Sequence, residues 1–145
     1  MKHSFDLAAA PGHLIRRAHQ ISVALFHAQL ADAGVTPVQF AILNALIDTP
    51  GVDQITLAKR VAFDPATSGS VIGRLENKGW VARRSDPVDR RRKLLLLTPE
   101  GRSALTGMQA AVAAVQAEIL SPLAPSEQAQ FMHLLRQLVS AHEAA

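Results

Sequence analysis

The residues best suited to chemistry lie between Asp86 and Gly101, where the sequence reads DPVDRRRKLLLLTPEG. Guanidinium groups pair with phosphate or carboxylate oxygens, whereas consecutive leucines need an apolar core. The stretch therefore predicts one strand of a β-ribbon, with its leucines buried and its arginines at or near an exposed tip. Arginine at such a tip can enter a narrow minor groove, where the negative potential is enhanced.

Two aspartates in the same turn leave two roles open for these arginines. Asp86 and Asp89 can hold arginine side chains by paired hydrogen bonds. An arginine bonded in this way braces the turn, whereas a neighbour without such a bond can contact a polyanion. We expect both roles, divided among adjacent arginines.

A second candidate surface precedes the ribbon, on a helix predicted from Pro65 to Lys78 and ended by Gly79. A helix that enters a major groove needs an apolar back and a small or polar front. A helical wheel puts Val71, Ile72 and Leu75 with Ser68 on one side, and Ala66, Gly69, Ser70, Gly73, Arg74 and Asn77 on the other, with Thr67 at its edge. Each interior glycine costs about 1 kcal/mol relative to alanine. Close approach to a backbone or to a base edge would explain the two glycines; the alternative is a poorly formed helix that tolerates them.

Composition favours a polyanion binder over an enzyme. Residues 59–102 hold eleven of the fifteen Lys and Arg residues against five acidic residues, a net charge of +6 in a chain of net charge +3. The six histidines lack zincin spacing, and no nucleophile elbow or phosphate loop is present. With no cysteine, thiolate metal sites and redox switches are excluded. We expect no catalytic residue, no metal and no cofactor. Without a signal peptide or a long apolar segment, we expect a cytoplasmic protein that does not enter a membrane.

The elements that position these residues are mostly helices. Thr36, Pro37 and Gln39 form a capping box with proline at the first helical position, Asp53 can cap a short helix, and Asp64 can cap the next. Helices are predicted over 13–32, 36–47, 54–62, 65–78, 98–120 and 126–142, with strands over 80–84 and 93–97 as the only β structure. The first helix has a broad apolar face that we expect to be buried. The fold class is mainly α with a small β-hairpin wing: a winged helix-turn-helix plus a helical dimerisation domain.

The stretch from Thr36 to Gly101 resembles the MarR family of bacterial transcription regulators. The resemblance depends on TPVQFAILNAL, LAKRV, DPATSGSVIGRLENKGWVARR and above all DPVDRRRKLLLLTPEG. It implies a homodimer that binds a pseudo-palindromic duplex. It also implies dimerisation helices at 1–34 and 102–145 around a DNA-binding domain at 35–101.

The resemblance assigns residues to the DNA contact. Ala66, Thr67 and Ser70 correspond to base-contacting positions, and Arg74 to a base- or backbone-contacting arginine. Asp89 and Arg91 correspond to the pair at the tip of the wing, with Arg91 in the minor groove, and Arg90 lies beside them. Ser70 is smaller than the residue found there in many relatives.

The resemblance also implies release of DNA by a small molecule, often an aromatic acid or its CoA thioester. Arginine in an apolar cleft can fix a carboxylate, and we consider His13, Arg16, Arg17 and His19 candidates. The alternative is that these residues make intersubunit salt bridges or lie in solvent. We expect a repressor; a transcriptional activator or a non-sequence-specific DNA-binding protein of the same fold is the alternative.

Overall fold

The computed structural model describes residues 4–61 and 65–144. Its described residues form six α-helices and three short strands, so the prediction of a mainly α protein with a small wing is confirmed. The elements are α1 (Pro11–Leu30), α2 (Pro37–Asp48), β1 (Val52–Asp53), α3 (Gln54–Arg60), α4 (Pro65–Asn77), β2 (Val81–Ser85), β3 (Lys93–Leu97), α5 (Pro99–Leu120) and α6 (Pro125–Glu143). Single 3-10 turns occupy Leu7–Ala9 and Ala31–Ala33.

Local capping sets where the helices of the winged domain begin. The Thr36 hydroxyl accepts a bond from the Gln39 N–H at 3.2 Å, and the Gln39 side chain accepts one from the Thr36 N–H at 3.0 Å. The predicted capping box is therefore confirmed. Asp53 Oδ1 accepts a bond from the Thr56 N–H at 2.9 Å, which confirms the predicted cap of α3. The predicted cap at Asp64 lies outside the described residues.

The wing is a three-stranded antiparallel sheet in the order β1-β3-β2, not a bare hairpin. Val52 pairs with Leu95 and Asp53 with Leu94, so the expectation that 80–84 and 93–97 are the only strands is wrong. A strand of two residues is too short to show an alternating pattern, which explains why the sequence did not reveal it. The central position of β3 accounts for its leucines: Leu95 is fully buried and the others are half-buried.

The chain divides into two compact units. One comprises Phe26–Val112; the other combines the chain up to Leu25 with the chain from Ala113 onward. The core of the first unit is aliphatic, and its fully buried members come from every helix of the winged fold and from β3: Ile42, Leu43, Leu46, Leu57, Ile72, Leu75, Leu95 and Leu105. This core supports α4 and the wing from behind.

The outer helices leave apolar side chains exposed within the single chain. On α1, Leu14, Ile15 and Ile21 are each more than half exposed, so the expectation of a broad buried face is wrong for the isolated subunit. Only Phe26 and Leu30, near the end of this helix, are buried. A similar row on α6 contains Phe131, Leu134, Leu135, Leu138 and Val139. Amphipathic patterning marks which face will be covered, but it does not say by which chain.

In the described part of the chain, no single helix is long and apolar enough to cross a membrane. Helix α1 with the 3-10 turn that follows it, and α2, reach that length and apolar character only when they are taken together, and this pair is bent by 71°.

Hydrogen bonds and close backbone packing of the Thr98-Pro99-x-Gly101 sequence hold the start of α5 against the wing. Thr98 donates from its N–H to the Trp80 carbonyl at 3.0 Å and from its hydroxyl to the Gly79 carbonyl at 2.6 Å. The same hydroxyl accepts a bond from the Gly101 N–H at 3.0 Å. The two backbones come so close that a Cβ atom on residue 101 would lie 2.1 Å from the Trp80 oxygen.

We expect Gly101→Ala to destabilise the protein by roughly 1–3 kcal/mol or more, because the backbone at Trp80 must move to make room for the methyl group. Gly107→Ala is the matched control on the same helix, since no heavy atom lies within 4 Å of its Cβ position. That substitution should raise stability by up to about 1 kcal/mol through helix propensity. Urea denaturation followed by circular dichroism measures both. Equal effects of the two substitutions would contradict the packing argument.

Candidate nucleic-acid interface

Helix α4 has the apolar back and polar front that the sequence predicted. Ile72, Leu75 and Ser68 are buried, whereas Thr67, Ser70, Arg74 and Asn77 are exposed. The Ser70 hydroxyl donates to the Thr67 carbonyl at 3.1 Å, one turn earlier. That bond uses the only hydroxyl proton, so Ser70 is left to act towards a ligand as a hydrogen-bond acceptor. Ala66 belongs to α4, but its side chain lies outside the described residues.

The two glycines of α4 have different surroundings. A Cβ atom on residue 73 would meet nothing within 4 Å, whereas one on residue 69 would lie 3.3 Å from the Gln54 amide nitrogen. Gly69 is half-buried and faces the start of α3, so its placement on the exposed front of the helix is wrong. On the wheel, position 69 lies about 60° from the buried Ile72, at the boundary between the two faces, and a glycine has no side chain whose character would assign it to one of them. Gly73 remains a candidate for close approach to DNA.

The turn of the wing is ordered by its two aspartates. Asp86 Oδ1 accepts a bond from the Val88 N–H at 2.9 Å, and Asp89 Oδ1 accepts one from the Arg91 N–H at 3.1 Å. Backbone bonds of 2.9 Å connect Asp86 N–H to the Arg92 carbonyl and Arg92 N–H to the Asp89 carbonyl. The tip is therefore a closed, hydrogen-bonded loop that can hold its arginines in a defined direction.

The three arginines of the turn divide into one that braces the fold and two whose side chains are exposed. Arg92 donates to Asp53 Oδ2 at 2.7 Å and lies 3.6 Å from Asp86 Oδ2. The Arg91 side chain is 96% exposed, with its Nε 3.6 Å from Asp89 Oδ1. Arg90 is also exposed. The bracing role expected for one of these arginines is present at Arg92, but its main acceptor is Asp53, which the sequence identified only as a helix cap. Contact of a neighbouring arginine with a polyanion stays a prediction.

The charge on Asp53 is strongly stabilised in the folded protein. The Arg92 guanidinium, followed by the N–H and hydroxyl of Thr56, holds the pKa of this carboxyl well below its usual range, against an opposing effect of burial. The same pairing raises the pKa of Arg92. Asp53 therefore connects the wing to the start of α3 as a permanent carboxylate near neutral pH.

Exposed basic side chains surround the helix and the wing. Lys59 and Arg60 lie at the end of α3, Arg74 on α4, and Arg84 and Lys93 on the paired strands. Lys93 donates to the Ser85 hydroxyl at 3.0 Å but keeps its charge exposed. A surface with these fixed positive charges attracts a phosphate backbone through counterion release.

The four candidate effector residues lie on α1. Arg16 Nη2 lies 3.4 Å from His13 Nδ1, and Arg17 donates to Gln20 Oε1 at 3.3 Å. His13 is half-buried, and Arg16, Arg17 and His19 are exposed. The helix thus brings His13 and Arg16 together on one face. Within the described ranges, no group of three His, Asp or Glu side chains could hold a metal ion.

We expect Asp53→Asn to lower the melting temperature by a few degrees at pH 7, and this difference to shrink progressively once the pH falls below about 4. The folded pKa of Asp53 is depressed, so its contribution is complete above an unfolded value of about 3.9 and is lost as the pH falls through the folded value. Asparagine preserves the size and a capping oxygen. Differential scanning fluorimetry from pH 7 down to about 2 is the measurement.

Asp89→Asn is the matched control, because that side chain is 53% exposed and its nearest guanidinium nitrogen is 3.6 Å away. Its difference from the wild type should be small at every pH. A constant difference between wild type and Asp53→Asn across the whole range would rule out the charged bond as the cause.

Similar proteins combine this fold with control of transcription. Residues 33–92 match the sequence profile of the MarR family. The HTH-type transcriptional repressor NicR of Pseudomonas putida is 32% identical over 141 residues, covering 97% of this chain and 89% of NicR.

Two solved structures are similar over nearly their whole length. The PcaV transcriptional regulator of Streptomyces coelicolor, in complex with its natural ligand, is 38% identical with a TM-score of 0.88, covering 97% of this chain and 99% of PcaV. BpsR of Bordetella bronchiseptica, whose DNA binding is regulated by 6-hydroxynicotinic acid, is 34% identical with a TM-score of 0.89, covering 94% and 98%. Together with the winged helix-turn-helix described above, these similarities establish that the chain belongs to the MarR family of transcriptional regulators.

Proposed function

We propose that this protein is a transcriptional repressor that is released from a pseudo-palindromic operator by a small aromatic acid. The observation that carries the DNA contact is the division of the wing arginines: Arg92 is bonded within the fold, while Arg91 is almost fully exposed on an ordered loop. A side chain that makes no bond to the core and projects from an ordered loop is suited to an external anion. Similarity to the repressor NicR supports the direction of regulation.

Within this proposal, α4 enters the major groove and the wing contacts the adjacent minor groove. Thr67 and Ser70 meet base edges with Ala66 beside them, and Arg74 reaches a phosphate or a base. Because the Ser70 proton is used within the helix, Ser70 selects a donor such as the amino group of cytosine or adenine. Arg91 and Arg90 enter or border the minor groove, and Asp89 holds the loop that carries them.

The second binding partner is another copy of the chain. The exposed apolar rows on α1 and α6 are larger than isolated surface hydrophobics would be, and a two-fold dimer would cover both copies of each row. Two copies of α4 would then read a duplex with matching half-sites. We propose residues 35–101 as the DNA-binding part and residues 1–34 and 102–145 as the dimerisation parts.

The effector class is proposed from the chemistry of α1. Arg16 supplies a guanidinium that can bind a carboxylate by two bonds, and His13, 3.4 Å away, supplies a second polar group. Arg17 and His19 lie on the same helix, with Arg17 bonded to Gln20. BpsR, whose DNA binding responds to 6-hydroxynicotinic acid, supports an aromatic acid as the ligand. A transcriptional activator or a non-sequence-specific DNA-binding protein is the alternative that the DNA experiment separates.

We expect wild-type protein to bind the duplex from just upstream of its own gene about 10³-fold or more tighter than a scrambled duplex. Arg91→Ala should weaken binding and reduce the slope of log K against log salt by about 0.9 per subunit, because one cation that neutralises the phosphate charge beside the minor groove is lost. Fluorescence anisotropy over a salt series measures both quantities.

Arg136→Ala is the matched control, since it removes the same charge from an exposed position on α6. Its salt slope should equal that of the wild type. Equal, weak and salt-sensitive binding of wild type to both duplexes would instead indicate an operator elsewhere or a general polyanion surface, and selection from a genomic library would distinguish these two.

We expect one of 6-hydroxynicotinate, the hydroxybenzoates or the hydroxycinnamates to bind and to release DNA. Arg16→Ala should weaken that binding about tenfold or more, because a charged hydrogen bond contributes roughly 1.5–3 kcal/mol. Isothermal calorimetry measures binding, and the anisotropy assay measures release. The control is Arg102→Ala, an exposed arginine elsewhere in the chain. Absence of binding by every acid would exclude the proposed effector class.

A further inference from the structure

Arg83 on β2 bonds to three groups on the two helices of the helix-turn-helix. Its Nη1 donates to Gln54 Oε1 at 2.9 Å, its Nη2 donates to the Gly69 carbonyl at 3.2 Å, and its Nε forms an ion pair with Glu76. Its side chain is only 28% exposed. One guanidinium therefore connects β2, the start of α3 and two separate points on α4.

The two points on α4 are spaced so that they fix the direction of the helix. Gly69 and Glu76 are seven residues, or about two turns, apart on nearly the same side of the helix, and the Gly69 carbonyl and the Glu76 carboxylate both reach the one guanidinium between them. The apolar contacts of Ile72 and Leu75 hold α4 against the core, but apolar contacts are non-directional. Directional bonds at two points on one side limit both rotation of α4 about its axis and sliding along it.

The glycine at position 69 fits the same arrangement. A Cβ atom there would lie 3.3 Å from the Gln54 amide nitrogen, a closer contact than a methyl group usually makes. Gln54 lies at the first turn of α3, where it accepts from Arg83. Gly69 therefore lets α3 approach α4 closely enough for one arginine to reach both helices.

We infer that Arg83 is a positioning residue for sequence recognition: with Gln54 and Glu76 it sets the orientation of α4 in the major groove, and it does not bind DNA itself. The inference rests on the proposed role of α4 in reading bases. Each of the three guanidinium nitrogens already has a protein acceptor. A phosphate contact by Arg83 would have to compete with these bonds, whereas the adjacent Arg84 is exposed.

The test compares Arg83→Lys with Arg84→Lys, using the duplex that wild type selects from a random pool and a scrambled version. Lysine retains the charge but cannot form the planar, three-nitrogen arrangement. For Arg83→Lys we expect the preference for the selected duplex to fall about tenfold or more, comparable to one mismatched base pair, with unchanged affinity for scrambled DNA and an unchanged salt slope. Arg84→Lys should retain the preference.

A second pair of variants separates positioning from general loss of stability. Gln54→Glu preserves the acceptor for Arg83 and should keep the preference, whereas Gln54→Met removes the acceptor and should reduce it. Thermal melting of each variant accompanies the binding assay, and the pair tests the inference even if Arg83→Lys is poorly folded.

Three results would overturn the inference. Arg83→Lys and Gln54→Met could retain the full preference, which would show that these bonds do not orient α4. A further variant, Arg83→Gln, removes the positive charge. If it weakened binding to both duplexes equally and lowered the salt slope by about 0.9 per subunit, Arg83 would be a phosphate contact. Wild type could also select no sequence from the pool; that result would overturn the proposed reading by α4 together with the inference.

Discussion

The start of α3 is the point on which the DNA-facing surface depends. Asp53 accepts the bond from Arg92 of the wing, and the next residue, Gln54, accepts the bond from Arg83 of β2. The same short segment pairs with β3 through Val52 and Asp53. The Asp53 carboxylate of this segment holds the wing through Arg92, and the Gln54 amide is linked to α4 through Arg83. The position of α4 relative to the wing is therefore fixed. A protein that reads two adjacent grooves needs such a relation, since each groove sets its own register.

This arrangement also explains why so many arginines lie close together. An arginine with a close acceptor in the fold is less available to phosphate than an exposed one. Arg83 and Arg92 belong to the first group, whereas Arg91 belongs to the second: its side chain is 96% exposed and its ion pair with Asp89 is looser, at 3.6 Å. Net charge alone cannot distinguish the groups, although it correctly locates the basic part of the chain.

The sequence predicted what is decided locally and missed what is decided by distant partners. The capping box at Thr36, the cap at Asp53 and the leucine strand involve residues within a few positions of one another, so their patterns are visible in the chain. The Arg92 acceptor is 39 residues away and the Gln54 acceptor of Arg83 is 29 residues away. Hydrophobic periodicity carries no information about such pairs. Strand β1 was missed for the same reason: two residues become a strand only because β3 lies beside them.

The size of the residues on the front of α4 makes orientation more important than it would be on a helix of long side chains. A glutamine or arginine can change rotamer to follow a base edge when its helix is displaced. Thr67 and Ser70 have one rotatable side-chain bond to their hydroxyl, and the Ser70 proton is already used by the Thr67 carbonyl. In the proposed contact with bases, a displacement of α4 by a fraction of an ångström would therefore change the hydrogen-bond distances of these side chains almost directly, and hydrogen-bond geometry deteriorates quickly beyond about 3.2 Å. In the proposed contact, short side chains discriminate bases better on a helix that is held from behind, and Arg83 bonds to α4 at two of its turns.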